Sequence, residues 1–151
     1  IIAEEAFQNN FSVVNDVSGV QDQRMITTLR KHSAGLILTH RNNYSSSIHE
    51  KSDYKDIVRD VKNDLMKQVE NILESGVNRD QIAIDVGLGF GKTQEQSAIL
   101  FESIGQFVGD YPLVVGYSRK KFTQLLKTSD EELLNHCQSQ GVSLVRLHFI
   151  D

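Results

Sequence analysis

Polar and ionisable residues gather at five places where an apolar run stops: Asn15-Asp16, His40-Arg41, Asp85, Ser118-Arg119-Lys120, and Arg146 with His148. An apolar core has no structural use for so many, because burying an unpaired charge is costly. Singly, each has a plain reading: Asp16 could cap a helix, His40 could be a satisfied core histidine, and Arg119 could be a solvated helix-start residue. Together, the residue types suit one chemistry. Asn15 and Asp85 offer an amide and a carboxylate, a pair able to grip a flat heterocycle with adjacent N–H donors. Lys120 adds a cation for a ring carbonyl or ring nitrogen. Arg146 and His148 alternate on one apolar run, so on a strand both face the same way. With Ser118 they could bind a phosphate or pyrophosphate.

The central stretch is Ile82 to Thr93, IAIDVGLGFGKT. It predicts a buried strand that delivers Asp85 at its C-terminal tip, then a loop whose glycines (Gly87, Gly89, Gly91) let the backbone approach a ligand closely. A phosphate-cradling P-loop needs glycine where Val86 stands, and the dinucleotide fingerprint needs its third glycine where Lys92 stands. A purely structural glycine turn is the remaining rival.

Positioning these groups requires an alternation of strands and helices. Residues 1–8 predict a helix end, stopped at Asn9-Asn10. Strands are expected over Phe11–Val14, Gly35–Thr39, Ile82–Asp85, residues 113–118 and residues 143–150, the last buried on both faces. Between them fall helices: 21–32, with Met25, Ile26 and Leu29 inward; a long one from Tyr54 to Leu73, capped by Ser52 or Asp53 and ended by Gly76; 94–108, with Ile99, Leu100, Ile104 and Phe107 or Val108 inward; one beginning in 119–126; and 130–140, opened by a Ser129/Glu132 capping box and closed by Gly141. Asn42 to Lys51 is polar and follows a strand, a candidate active-site loop. Such alternation means a parallel sheet with helices outside. Ligands in such sheets bind at the C-terminal strand ends, where the five polar groups fall.

The 151 residues make one domain the expectation. With 16 Lys+Arg against 20 Asp+Glu the net charge is −4, which argues against general nucleic-acid binding. Cys137 stands alone, excluding an internal disulfide, and its expected role is a small buried hydrophobe in a reducing compartment. No apolar run approaches a membrane span and no signal-peptide pattern is visible, so a soluble cytoplasmic protein is expected.

The segments VVNDVSG, IDVGLGFGKT, VVGYSRKKF and VRLH, in that order, resemble the consecutive signature segments of the dihydropteroate synthase family. The matches span residues 11 to 148. That family is a (β/α)₈ TIM barrel joining p-aminobenzoate to a dihydropterin pyrophosphate in folate biosynthesis. The resemblance implies a partial barrel here, residues 1–151 forming a single pterin-binding domain of about five parallel strands with outer helices. It also implies that Asn15, Asp85, Gly116, Lys120 and Arg146 hold the pterin, with Lys120 and Arg146 the catalytic pair. Phe90 and Ser118 would lie near p-aminobenzoate, and Arg146 and His148 would take the pyrophosphate. Mg²⁺ would assist departure of pyrophosphate, and the family commonly forms homodimers.

The chain departs from the pattern in several places. Such a barrel needs about eight strands and ~250 residues. The family's first strand with its metal-binding asparagine, two mobile loops, and a pterin-binding aspartate have no counterpart, so no residue of this chain is expected to bind metal. Val86 replaces the usual proline, and His148-Phe149 replaces the usual histidine-aspartate ending. The chain begins at Ile1 inside a helical pattern, so the N-terminal strands are expected to be missing and the chain alone inactive. Two rival functions stay open: a non-catalytic pterin-binding or regulatory half-barrel, and a pterin-dependent methyltransferase.

Overall fold

The computed structural model describes residues 1–41 and 54–148. Its elements are α1 (Ile2–Gln8), β1 (Val13–Asp16), α2 (Gln23–His32), β2 (Gly35–Thr39), α3 (Ile57–Glu74), β3 (Ile82–Asp85), α4 (Gln94–Glu102), β4 (Leu113–Val115), α5 (Thr123–Leu126), α6 (Asp130–Ser139) and β5 (Leu144–Val145), with single 3₁₀ turns at Arg79–Gln81 and Ile104–Phe107. All neighbouring strands are parallel, and their spatial order β1-β2-β3-β4-β5 equals their order in the chain. A doubly wound sheet reverses direction at a switch point; a barrel segment does not. The order is therefore that of consecutive βα units of a barrel.

Alternation along the strands separates two faces. Leu36, Leu38, Ile82, Ile84, Leu113 and Val115 are buried and join one core with Leu29, Val61, Leu65, Leu100, Phe101 and Leu133 of the helices. The other face is less covered: Val13 is 52% exposed and Leu144 54%, while Ile37 and Ala83 are half-buried. Only at its C-terminal end does that face close, over Thr39 and Asp85.

Several boundaries differ from the sequence expectation. β1 begins at Val13 rather than Phe11, which is exposed, so Asn15 and Asp16 lie within the strand. Asp56, not Ser52 or Asp53, caps α3, its side chain accepting from Arg59 N at 3.1 Å. Ser52, Asp53 and the loop Asn42 to Lys51 lie outside the described residues. The expected helix 94–108 breaks at Ser103, and the register that buries Ser97, Ala98, Leu100 and Phe101 turns Ile99 outward; Val108, past the 3₁₀ turn, is exposed too. β4 ends at Val115 because Gly116 and Tyr117 turn toward the following loop. β5 is two residues long and not buried on both faces, since it lies at the sheet edge and pairs with β4 alone.

The capping box at Ser129 and Glu132 forms as expected, with Glu132 N donating to Ser129 Oγ at 3.2 Å and Ser129 N to Glu132 Oε2 at 2.9 Å. Cys137 is buried, and burial pushes its thiol up to about 11.

Candidate functional site

Parallel pairing brings the tips of five strands to one edge of the sheet. Asp85 stands opposite Thr39 on β2 and Val114 on β4, and Asn15 opposite Ile37. All five belong to the face away from the core, together with Arg146 two residues beyond Leu144.

Asp85 is 1% exposed. Its Oδ1 accepts from Gly87 N at 2.8 Å, and its Oδ2 lies 3.5 Å from the Arg146 guanidinium. Burial pushes this carboxyl up from its ordinary range, while the Gly87 N–H and the charges of Lys120, Arg146 and Lys92 pull it back. The Arg146 backbone is held by its N–H to Val115 O at 2.8 Å, and a Cβ at Gly116 would come within 3.0 Å of the Arg146 Nη2. A side chain at 116 would crowd the guanidinium in this position.

Lys120 follows β4. Its Nζ donates to Leu88 O at 2.5 Å and sits 5.1 Å from the centre of the Phe90 ring. Burial lowers its pKa, opposed by Asp85 and reinforced by Arg146. Asn15 is exposed, and its Oδ1 accepts from Thr39 Oγ1 at 3.1 Å. A cavity of about 350 Å³ opens between the glycine loop and the loop after β4; Leu88, Phe90, Lys120 and Phe122 are among its walls.

Of the residues singled out from sequence, the fold brings Asp85, Arg146, Gly116, Lys120 and Phe90 into one connected group. Asn15 joins the same face two strands away through Thr39. Ser118, between Gly116 and Lys120 in the chain, is half-buried. His148 is exposed and, among the described residues, makes no hydrogen bond or ion pair; β5 has ended before it, so strand alternation does not govern its direction. Asp16 turns to the core side and holds the loop after β1, accepting from Ser18 Oγ at 2.8 Å and Val20 N at 2.5 Å.

The residue missed by sequence reasoning is Lys92, given no role from the sequence and buried in the structure. Its Nζ lies 3.0 Å from His40 Nδ1 and donates to Gly87 O and Phe90 O, each at 3.0 Å. Burial lowers it to about 7, and the same burial lowers His40 to about 4, with Lys92 adding to the effect and Asp64 opposing it. His40 is thus neutral and accepts at Nδ1, its Nε2 turned to Asp64 Oδ2 at 3.6 Å. One signal was available: a lysine immediately before Thr93, the N-cap of α4, stands at the end of a helix that disfavours cations.

A family model described as a pterin binding enzyme matches residues 1–148. The dihydropteroate synthase of Bacillus subtilis is 30% identical over 157 residues, covering 97% of this chain and 53% of that protein. The dihydropteroate synthase of Synechocystis is 32% identical over 123 residues, covering 80% and 43%. Among solved structures, the dihydropteroate synthase of Thermus thermophilus superposes with a TM-score of 0.83 at 30% identity, over 97% of this chain and 61% of that one. The Clostridium difficile enzyme, crystallised in the presence of pteroic acid, gives 0.81 at 27% identity, over 97% and 57%. The chain spans about half the length of the relatives it matches.

Proposed function

The chain belongs to the pterin binding enzyme family, and from that premise we propose that it acts as a dihydropteroate synthase-like transferase of folate biosynthesis. The reaction joins a dihydropterin pyrophosphate to p-aminobenzoate. The arylamine nitrogen forms a bond to the pterin methylene, the C–O bond to pyrophosphate breaks with its electron pair leaving on the anion, and the amine gives up a proton. The protein's share is orientation and electrostatic stabilisation rather than covalent attack.

The observation that carries this reading is Asp85: a carboxylate buried at a strand tip, yet ringed by the cations Arg146, Lys120 and Lys92 rather than neutralised by one partner. Such a group can accept paired N–H donors from a pterin ring while the guanidinium covers the ring face. In this proposal Asn15, Asp85, Gly116, Lys120 and Arg146 hold the pterin, and Lys120 and Arg146 offset developing charge. Phe90 and Ser118 lie beside p-aminobenzoate, and Arg146 and His148 receive the pyrophosphate. Homodimer formation and a cytoplasmic location belong to the same proposal; no helix among the described residues is long and apolar enough to cross a membrane.

The tips do not fit a Mg²⁺ of their own. Asp85 is already surrounded by cations, and among the described residues no group of three or more His, Cys, Asp or Glu could hold an ion.

Calorimetry with 6-hydroxymethylpterin and with p-aminobenzoate, paired with a product assay, tests the reading. Pterin binding with dihydropteroate formation supports it. Pterin binding without product favours the non-catalytic pterin-binding alternative. No pterin binding overturns both.

A further inference from the structure

A buried cation stands behind the ligand-facing groups. Lys92 Nζ donates to the carbonyls of Gly87 and Phe90 at 3.0 Å each and of His40 at 3.4 Å, and meets His40 Nδ1 at 3.0 Å. Three carbonyls and one imidazole, from β2 and the glycine loop, thus converge on a nitrogen with three protons to give. The charged and titratable groups facing it are His40 after β2, Asp64 on α3, Asp85 on β3 and Lys120 after β4.

The atoms this ammonium holds are neighbours of those that would meet a ligand. Gly87, whose carbonyl it takes, gives its N–H to Asp85 Oδ1 at 2.8 Å. The next residue, Leu88, offers the carbonyl that Lys120 Nζ binds. Phe90, whose carbonyl it also takes, closes the loop through its N–H to Gly87 O at 3.0 Å and carries the ring beneath Lys120. Gly87 is pressed so tightly on His40 O that a Cβ there would come to 2.0 Å.

We propose that Lys92 is a positioning residue of the pterin site. Its ammonium ties the end of β2 to the glycine loop and so fixes the Asp85 carboxylate and the Leu88–Lys120 contact, its protons given to carbonyls rather than to the ligand. This rests on the pterin reading above, and it differs from a merely stabilising role in what it moves: local order at Gly87 and affinity, not only global unfolding.

The test compares Lys92→Met with Leu133→Ala, a core truncation in α6 remote from the loop, in the same chain. In the ligand-free state the ratio of amide exchange at Gly87 to that at Ile84 is expected to rise by about tenfold or more in Lys92→Met, and 6-hydroxymethylpterin to bind about tenfold or more weakly. Leu133→Ala is expected to lower the melting temperature while leaving both unchanged. A Lys92→Met chain with the original ratio and affinity overturns the proposal. Should that variant not fold, the same ratio is expected to rise by about tenfold or more in the milder Lys92→Gln, which removes the charge and shortens the reach to the carbonyls. An unchanged ratio then overturns it. If the unsubstituted chain binds no pterin, the functional reading fails, and the exchange arm alone still decides whether Lys92 fixes Asp85.

Discussion

Asp85 carries the most at the scale of single residues, because two different bonds depend on its two oxygens. An amide at this position keeps the acceptor for Gly87 N but loses the charge that faces Arg146. Asp85→Asn is therefore expected to retain the fold and to lose roughly 1.5–3 kcal/mol of pterin affinity, the worth of a charged hydrogen bond. Titration calorimetry on a variant with an unchanged melting curve checks this; an unaltered affinity would mean that Asp85 only braces its loop. Asp85 and Lys120 were legible from the sequence because a carboxylate and a lysine at the ends of apolar runs have little other use there. Lys92 was not legible, since its cage is mostly backbone carbonyls, and no pattern of side chains reports where carbonyls will point.

At the scale of elements, the loop joining β3 to α4 is the joint that matters. Gly87 lies at φ +68°, in the left-handed region, against the His40 carbonyl. Gly87→Ala adds left-handed strain of roughly 1–2 kcal/mol to a backbone clash that cannot be relieved by a rotamer. The expected loss of stability exceeds about 2 kcal/mol, measured by denaturant unfolding; a loss below that would show the loop able to move away from β2. The capping box of α6 is a milder case. Ser129→Ala removes the acceptor for Glu132 N, at an expected cost of about 1 kcal/mol. The box was visible in the sequence because caps are local. The break of α4 at Ser103 and the outward turn of Ile99 were not, because they depend on which helical face meets β3 and β4.

For the whole molecule, one buried imidazole makes a distinct contribution to the response to acid. His40 is fully buried, and burial lowers it to about 4 from an ordinary value of 6.5. The folded state therefore refuses a proton that the unfolded chain accepts. Stability on this account is intact above about pH 6.5, falls as pH drops toward 4, and levels off below, a loss of roughly 3 kcal/mol across the window. His40→Asn keeps an acceptor for Lys92 and cannot titrate in this range. Its unfolding free energy is expected to fall less steeply than the parent's between those limits; parallel curves would mean that His40 is already protonated in the fold.

The sequence by itself determined the order of strands and helices, the parallel sheet, and the set of polar groups at the strand tips, because periodicity and capping act over a few neighbouring residues. Only the tertiary structure decided which of those groups meet. Register placed Asp85 beside Arg146 across two strands and 61 positions of chain, left His148 exposed past the end of β5, and drew Lys92 into a cage of three carbonyls and one imidazole. Contacts of that kind arise from packing between elements distant in the chain, where no local pattern can record them.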